Sequence, residues 1–230
     1  MASYKHIFFD LDRTLWDFEA NATDTFREMF SKYNLATYCG DFNSFHETYR
    51  KINRQLWQKY RDGEIKKHIL KYKRFYLTLK AFGTDDLELS RKLGEDYVQL
   101  SAGKTRLFPY THKTLKYLED KYSLYIITNG FEEVQFKKIR NCNLEQYFQK
   151  IITSENAGVQ KPHNRIFEYA LEEAGASKED SIMIGDDIEG DIRGAKEFGI
   201  DQVFFNPNHK THNEDITFEI HSLKELKDIF

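Results

Sequence analysis

The chain has 230 residues and a mass of 27.4 kDa, enough to bury a core without help from disulfides or a structural metal. Its 34 Lys and Arg against 37 Asp and Glu leave a net charge of −3, which excludes a broadly basic nucleic-acid binder. The hydrophobic fraction is 40%, but it is weighted to 19 Phe and 14 Tyr, which bury large areas and exclude a disordered chain.

Tyr4-Lys-His-Ile-Phe-Phe-Asp10 is a short run rich in aromatic and β-branched residues, and it reads as a buried strand. No signal-peptide layout and no 18-residue apolar run accompanies it, so the expectation is a cytoplasmic protein without membrane attachment. Cys39 and Cys142 lack metal-ligand or redox spacing, in keeping with a reducing compartment. From about 17 to 102, apolar residues recur at helical spacing (Phe26, Met29, Phe30, Tyr33; then Phe42, Phe45, Tyr49, Ile52), and four helices are expected. Gly40, Gly63 and Gly83 punctuate them as helix stops.

After Pro109 the pattern alternates. Helices near 111–121, 131–141, 164–174 and 189–198 lead in turn to strands at 124–128, 150–153, 181–185 and 202–205 by way of short loops, and a weaker strand at 216–220 precedes a closing helix. Such alternation implies right-handed crossovers and a parallel sheet covered on both faces. The expected fold is therefore α/β: a doubly wound, Rossmann-like parallel sheet formed by residues 1–16 and 103–230, with a helical domain inserted at 17–102. The absence of proline from the first 108 residues suits an uninterrupted helical insert.

In open parallel sheets ligands gather beyond the carboxyl ends of the strands. The first strand ends in Asp10-Leu11-Asp12-Arg13-Thr14, the second in Thr128-Asn129-Gly130, and the fourth in Gly185-Asp186-Asp187 with Asp191 a turn further on; Lys161-Pro162 follows the third. Carboxylates from two strand ends, Asp10 and Asp186, crowd hard oxygen ligands at one point, a setting that favours Mg²⁺. Thr128 to Gly130, opening a helix, offer a hydroxyl and backbone amides as an anion seat, and Lys161 adds a positive charge. The set suits a phosphoryl group, with Asp10 as nucleophile and Asp12 as acid and then base.

These residues, in this order and each beyond a strand, resemble the four motifs of the haloacid dehalogenase superfamily over essentially the whole chain. The resemblance implies that Asp10 is the nucleophile and that Asp12 is the acid/base and also binds Mg²⁺ through its carbonyl. It implies that Thr128, Asn129 and Lys161 hold phosphate, that Asp186 binds the metal, and that Asp187 and Asp191 are supporting acids. The helical insert takes the position of a class I cap. Asp12 favours phosphoryl transfer, since the true haloacid dehalogenases lack this second acid. The stretches Phe9–Phe18, Ile127–Phe131 and Gly158–Pro162 resemble the pyrimidine 5′-nucleotidase-like group, implying hydrolysis of nucleoside monophosphates. The expected partner is thus a small phosphorylated metabolite, with no nucleic acid polymer. A phosphomutase or sugar-phosphate phosphatase, or a non-catalytic phosphometabolite sensor, are the alternatives.

Arg13 stands where the family usually has Gly; a positive φ there would cost roughly 1–2 kcal/mol. Trp16 and Phe18 offer either base stacking or packing. His209 and His212 read as part of a polar loop, and the run Lys66, Lys67, His68, Lys71, Lys73, Arg74 as a solvated helix face.

Overall fold

The computed structural model describes residues 4–230, which form two compact units: one reaching to Phe18 and resuming at Thr105, the other Glu19–Lys104. In the first, strands β1 (His6–Phe9), β2 (Ser123–Thr128), β3 (Lys150–Thr153), β4 (Ser181–Gly185), β5 (Asp201–Phe205) and β6 (Phe218–Ile220) make one sheet in the order β3-β2-β1-β4-β5-β6. Every neighbouring pair is parallel. The strand order reverses at β1, whose Phe9 pairs with Ile126 on one side and Ile184 on the other. A crevice therefore opens beyond β1 and β4, where ligands bind in folds of this kind.

Period-two alternation sends side chains to both faces of the sheet. Ile7, Phe9, Ile126, Ile184 and Val203 share one core with Leu115 and Leu118 of α6 (Thr111–Glu119) and Ile139 of α7 (Glu132–Asn141). Phe8, Tyr125, Ile127 and Met183 face the other way, against Ile166 and Phe167 of α9 (Asn164–Ala174). Full burial of side chains such as Phe8 and Phe9 contributes roughly 1.5–3 kcal/mol each. The sheet is thus covered on both faces, as the alternating sequence pattern requires. A one-turn helix, α8 (Ser154–Ala157), lies between β3 and α9.

The segment expected as one helix over 189–198 divides in two. A π-helical turn over Ile188–Arg193 precedes the short α10 (Gly194–Phe198). Asp187 accepts hydrogen bonds on its side chain from the Glu189 and Gly190 amides, while its carbonyl accepts from both Asp191 and Ile192. That wider turn directs Asp191 inward to a buried position, a common use of π-turns.

The second unit contains α1 (Phe18–Lys32) from its second residue onward, a one-turn α2 (Ala36–Cys39), α3 (Phe42–Arg61), α4 (Lys67–Ala81) and α5 (Leu87–Ala102). Gly40, Gly63 and Gly83 take positive φ just after α2, α3 and α4. The core is aromatic: the Phe26 ring centre lies 4.4 Å from Tyr49 and 4.9 Å from Tyr97. Arg74 departs from the expected solvated face. It is buried, 4.7 Å above the Tyr97 ring, and donates to Asn53, because an arginine stem and planar head pack well on aromatic surface. None of the helices among the described residues is long and apolar enough to cross a membrane.

Candidate active site

Asp10 follows β1 directly, and Thr128 closes β2. Lys161 lies between α8 and α9, and Asp186 follows β4. These positions converge on Lys161, whose side chain is 3% exposed. Its ammonium donates to Asp10 Oδ1 at 2.8 Å, Asp191 Oδ1 at 2.6 Å and the Ile127 carbonyl at 2.8 Å. All three N–H groups are thereby engaged, so Lys161 acts on a ligand through charge and through its hold on Asp10 rather than through a spare donor. Thr14, fully buried, donates to Asp10 Oδ2 at 3.5 Å.

Each of the remaining residues has a defined place. The Asn129 side chain pins the main chain of Lys161, donating to its carbonyl at 3.0 Å and accepting from its amide at 2.8 Å. That side chain is therefore an anchor for the lysine loop. Asp187 caps the π-turn, and its backbone amide donates to Asp191 Oδ2 at 3.1 Å. Asp12 is set apart from the other acids, because its carboxylate is held by Lys138 and Gln135 of α7. Arg13 does take φ 70°, and its guanidinium stacks 4.1 Å over the Phe18 ring, a contact that offsets part of the strain. Trp16 is 1% exposed and packs in the core beneath Lys138, which removes it as a base-stacking platform. His212 pairs with Glu219 and His209 stacks on His221, away from any metal-like grouping.

Oxygen atoms of Asp10, Asp186 and Asp191 lie within 4.8 Å of one another. Two of the three carboxylates, Asp10 and Asp191, share one buried ammonium, while Asp186 has the exposed Arg13 acting on it from the edge. The strain shows in their acidities. Burial, opposed by Lys161 and reinforced by Asp191 and Asp12, pushes Asp10 up to about 7. Burial and the charges of Asp10 and Asp191 hold Asp186 well above the usual carboxylate range. Asp191 is also raised by burial, against the pull of Lys161. Burial alone would lower the Lys161 ammonium, but Asp10 and Asp191 overcome it and keep the lysine protonated. Only partly compensated, all-oxygen and clustered, this donor set fits a hard divalent cation such as Mg²⁺.

Gly185 shows how tightly the cluster is built, since a Cβ there would lie 2.2 Å from Asp191 Oδ2. Gly185→Ala should therefore displace the Asp191 carboxylate and destabilise the protein by about 1–3 kcal/mol. Gly190→Ala, whose Cβ would meet Asp187 Cγ at an ordinary 3.5 Å, should be tolerated. Urea midpoints of the two variants check this, and equal midpoints would contradict the packing argument.

Sequence reasoning alone missed Thr14, Gln135 and Lys138. The only available signal was the i, i+3 spacing of Gln135 and Lys138 on the helix following Thr128-Asn129-Gly130.

The protein is of the doubly wound α/β class, with clustered acids and a buried lysine beyond the switch point of its sheet. The family model of haloacid dehalogenase-like hydrolases matches residues 4–199, and the chain belongs to that family. It is similar to the HAD-hydrolase YfnB of Bacillus subtilis, with 31% identity over 98% of this chain and 95% of that one. The crystal structure of YfnB bound to magnesium superposes with a TM-score of 0.90 at 30% identity, covering 99% of this chain and 98% of the other. Pyrimidine 5′-nucleotidase YjjG of Escherichia coli is 31% identical over 97% of this chain and 96% of its own. A glyceraldehyde 3-phosphate phosphatase of Methanothermobacter thermautotrophicus is 30% identical over 98% of this chain and 99% of its own.

Proposed function

We propose that the chain is a Mg²⁺-dependent phosphomonoesterase that works through an aspartyl-phosphate on Asp10 and hydrolyses nucleoside 5′-monophosphates. The observation that carries the chemistry is a pair of acids two residues apart, each held by a different buried lysine. Asp10 is paired with Lys161 and Asp12 with Lys138. The likeness to pyrimidine 5′-nucleotidase YjjG over nearly the whole chain supports the substrate class.

In this reading Lys161 fixes Asp10 Oδ1 and leaves Oδ2 to attack phosphorus. The cycle starts from Asp12 in its protonated form, and the ester P–O bond breaks as Asp12 gives that proton to the departing oxygen. Asp12 then takes a proton from water, whose oxygen attacks phosphorus and frees Asp10. Thr128 Oγ1 accepts from the Gly130 amide and from Gln135, so its own hydrogen remains for a phosphate oxygen. Asp10 and Asp186, with the Asp12 carbonyl, would hold Mg²⁺, while Asp187 and Asp191 buttress them. The ion's chemistry is charge neutralisation between carboxylate and phosphate. The helical unit Glu19–Lys104 is assigned substrate selection, and the α/β unit the reaction.

A second reading, a phosphatase of small sugar phosphates, rests on the likeness to the glyceraldehyde 3-phosphate phosphatase. A screen of phosphorylated metabolites with Mg²⁺, scored for released phosphate, separates the two. Release from pyrimidine nucleoside monophosphates is expected. Release from sugar phosphates alone would replace the first reading by the second, and isomerised product without phosphate release would indicate a mutase.

A further inference from the structure

Gln135 and Lys138 stand one helical turn apart on the buried face of α7, beside Val134 and Ile139. Gln135 is fully buried and the Lys138 side chain is 5% exposed. Neither fills space as an apolar residue would. Lys138 Nζ donates to Asp12 Oδ1 at 2.5 Å and lies 4.0 Å from the centre of the Trp16 ring, which forms a floor under the ammonium. Gln135 Nε2 donates to Asp12 Oδ2 at 3.1 Å and to Thr128 Oγ1 at 2.6 Å.

One amide nitrogen therefore reaches from the second acid to the hydroxyl at the end of β2. Its orientation is forced. Turned over, the amide would set its oxygen against the Asp12 carboxylate. In the orientation observed, Gln135 Oε1 is buried without a partner, a cost that bridging Asp12 and Thr128 explains and space filling does not. Gly130 belongs to the same device, because a Cβ there would lie 2.4 Å from Gln135 Cδ. The glycine after Asn129 is what lets the amide lie flat against that turn.

We propose that Gln135 and Lys138 are positioning residues that clamp both oxygens of Asp12, stop its carboxylate rotating, and fix it relative to the Thr128 hydroxyl. This rests on the phosphomonoesterase reading. The clamp serves the direction of proton delivery to the leaving oxygen, so it matters in proportion to how much that oxygen needs a proton. An alkoxide leaving group needs one; a nitrophenolate does not.

The test is single-turnover phosphoryl transfer by the full-length protein with Mg²⁺. The substrates are p-nitrophenyl phosphate and the best alkyl phosphate found for the wild type, and the variants are Lys138→Met and Gln135→Leu. Gln135→Leu is close in shape and removes the unpartnered oxygen, so it retains the fold even where Lys138→Met does not. Transfer from the alkyl ester should fall on the order of 10²-fold, the lower end of what a placed proton donor supplies, with much less loss from the nitrophenyl ester. A general structural defect would lower both rates alike. Equal losses, or no loss, in variants of an active wild type would overturn the clamp and leave the phosphatase reading standing. A wild type that turns over neither ester would overturn that reading and the clamp with it.

Discussion

Asp10→Asn should lower turnover by on the order of 10⁴-fold or more, yet leave the metal-free protein more stable than the wild type near neutral pH. The first effect follows from removing the only attacking oxygen that Lys161 presents, and the amide that replaces it is a poor nucleophile. The second follows from the crowding of the acids. Burial, only partly answered by Lys161, raises Asp10 to about 7, well above the roughly 3.9 of an exposed aspartate. A raised acid binds its proton more tightly in the folded state. Its contribution to stability is therefore complete below the unfolded value and is lost as pH rises through the folded one. Between pH 5 and pH 8 the metal-free wild type should lose about 1–3 kcal/mol relative to Asp10→Asn, whose amide carries no charge to bury. Saturating Mg²⁺ should reverse the order, since the cation stabilises the form that binds it and the variant has lost a ligand. Urea midpoints at both pH values, with chelator and with Mg²⁺, give the comparison. Retained turnover would remove Asp10 from the nucleophile's place, and a variant less stable than wild type at pH 8 without metal would contradict the crowding argument.

Much of this molecule is legible in its sequence because the signals are local. The run Ile7-Phe8-Phe9 can be read as a strand buried on both faces, and Asp10 and Asp186 fall one residue beyond β1 and β4. Once the strands are parallel, their carboxyl ends lie on one edge, and the acids and Lys161 meet there. What the sequence hides depends on partners distant along the chain. Lys138 stands among Glu132, Glu133, Lys137 and Arg140 and looks like one more surface charge, until Trp16 and Asp12 close over it. Arg74 hides similarly in a basic run, and its burial is decided by Tyr97 on another helix. The π-turn at Ile188–Arg193 has helical composition, so nothing in its pattern separates it from an ordinary first turn; the difference arises from Asp187 and from the pull of Lys161 on Asp191. Asn129 belongs to the anion-seat motif, but its side chain has the geometry of an anchor for the Lys161 loop.

Lys161→Met should be the more damaging change to the fold, and its pH dependence should separate it from Asp10→Asn. The ammonium is protonated throughout the range from pH 5 to pH 8. Its pKa is shifted upward by Asp10 and Asp191, so its contribution to stability is complete below the ordinary lysine value and fades only as pH rises beyond it. Methionine matches the length of the stem and supplies no donor. Asp10 Oδ1, Asp191 Oδ1 and the Ile127 carbonyl would each lose the bond they now receive, and two buried carboxylates would face each other without a cation. Breaking a buried ion pair from one side typically costs about 3–5 kcal/mol, and that loss is expected at pH 8. With the cation gone, Asp10 and Asp191 must titrate higher still, so acid protonates them and relieves the repulsion. The deficit against wild type should therefore shrink at pH 5, and the Asp187 amide would still hold Asp191 Oδ2. Turnover should vanish at both pH values, because Asp10 has lost the contact that aims it. Removing the acid thus helps the metal-free fold most at alkaline pH, and removing the lysine harms it most there. Equal destabilisation of Lys161→Met at pH 5 and pH 8 would mean that Lys161 acts by packing alone, and the charge account of this site would fail.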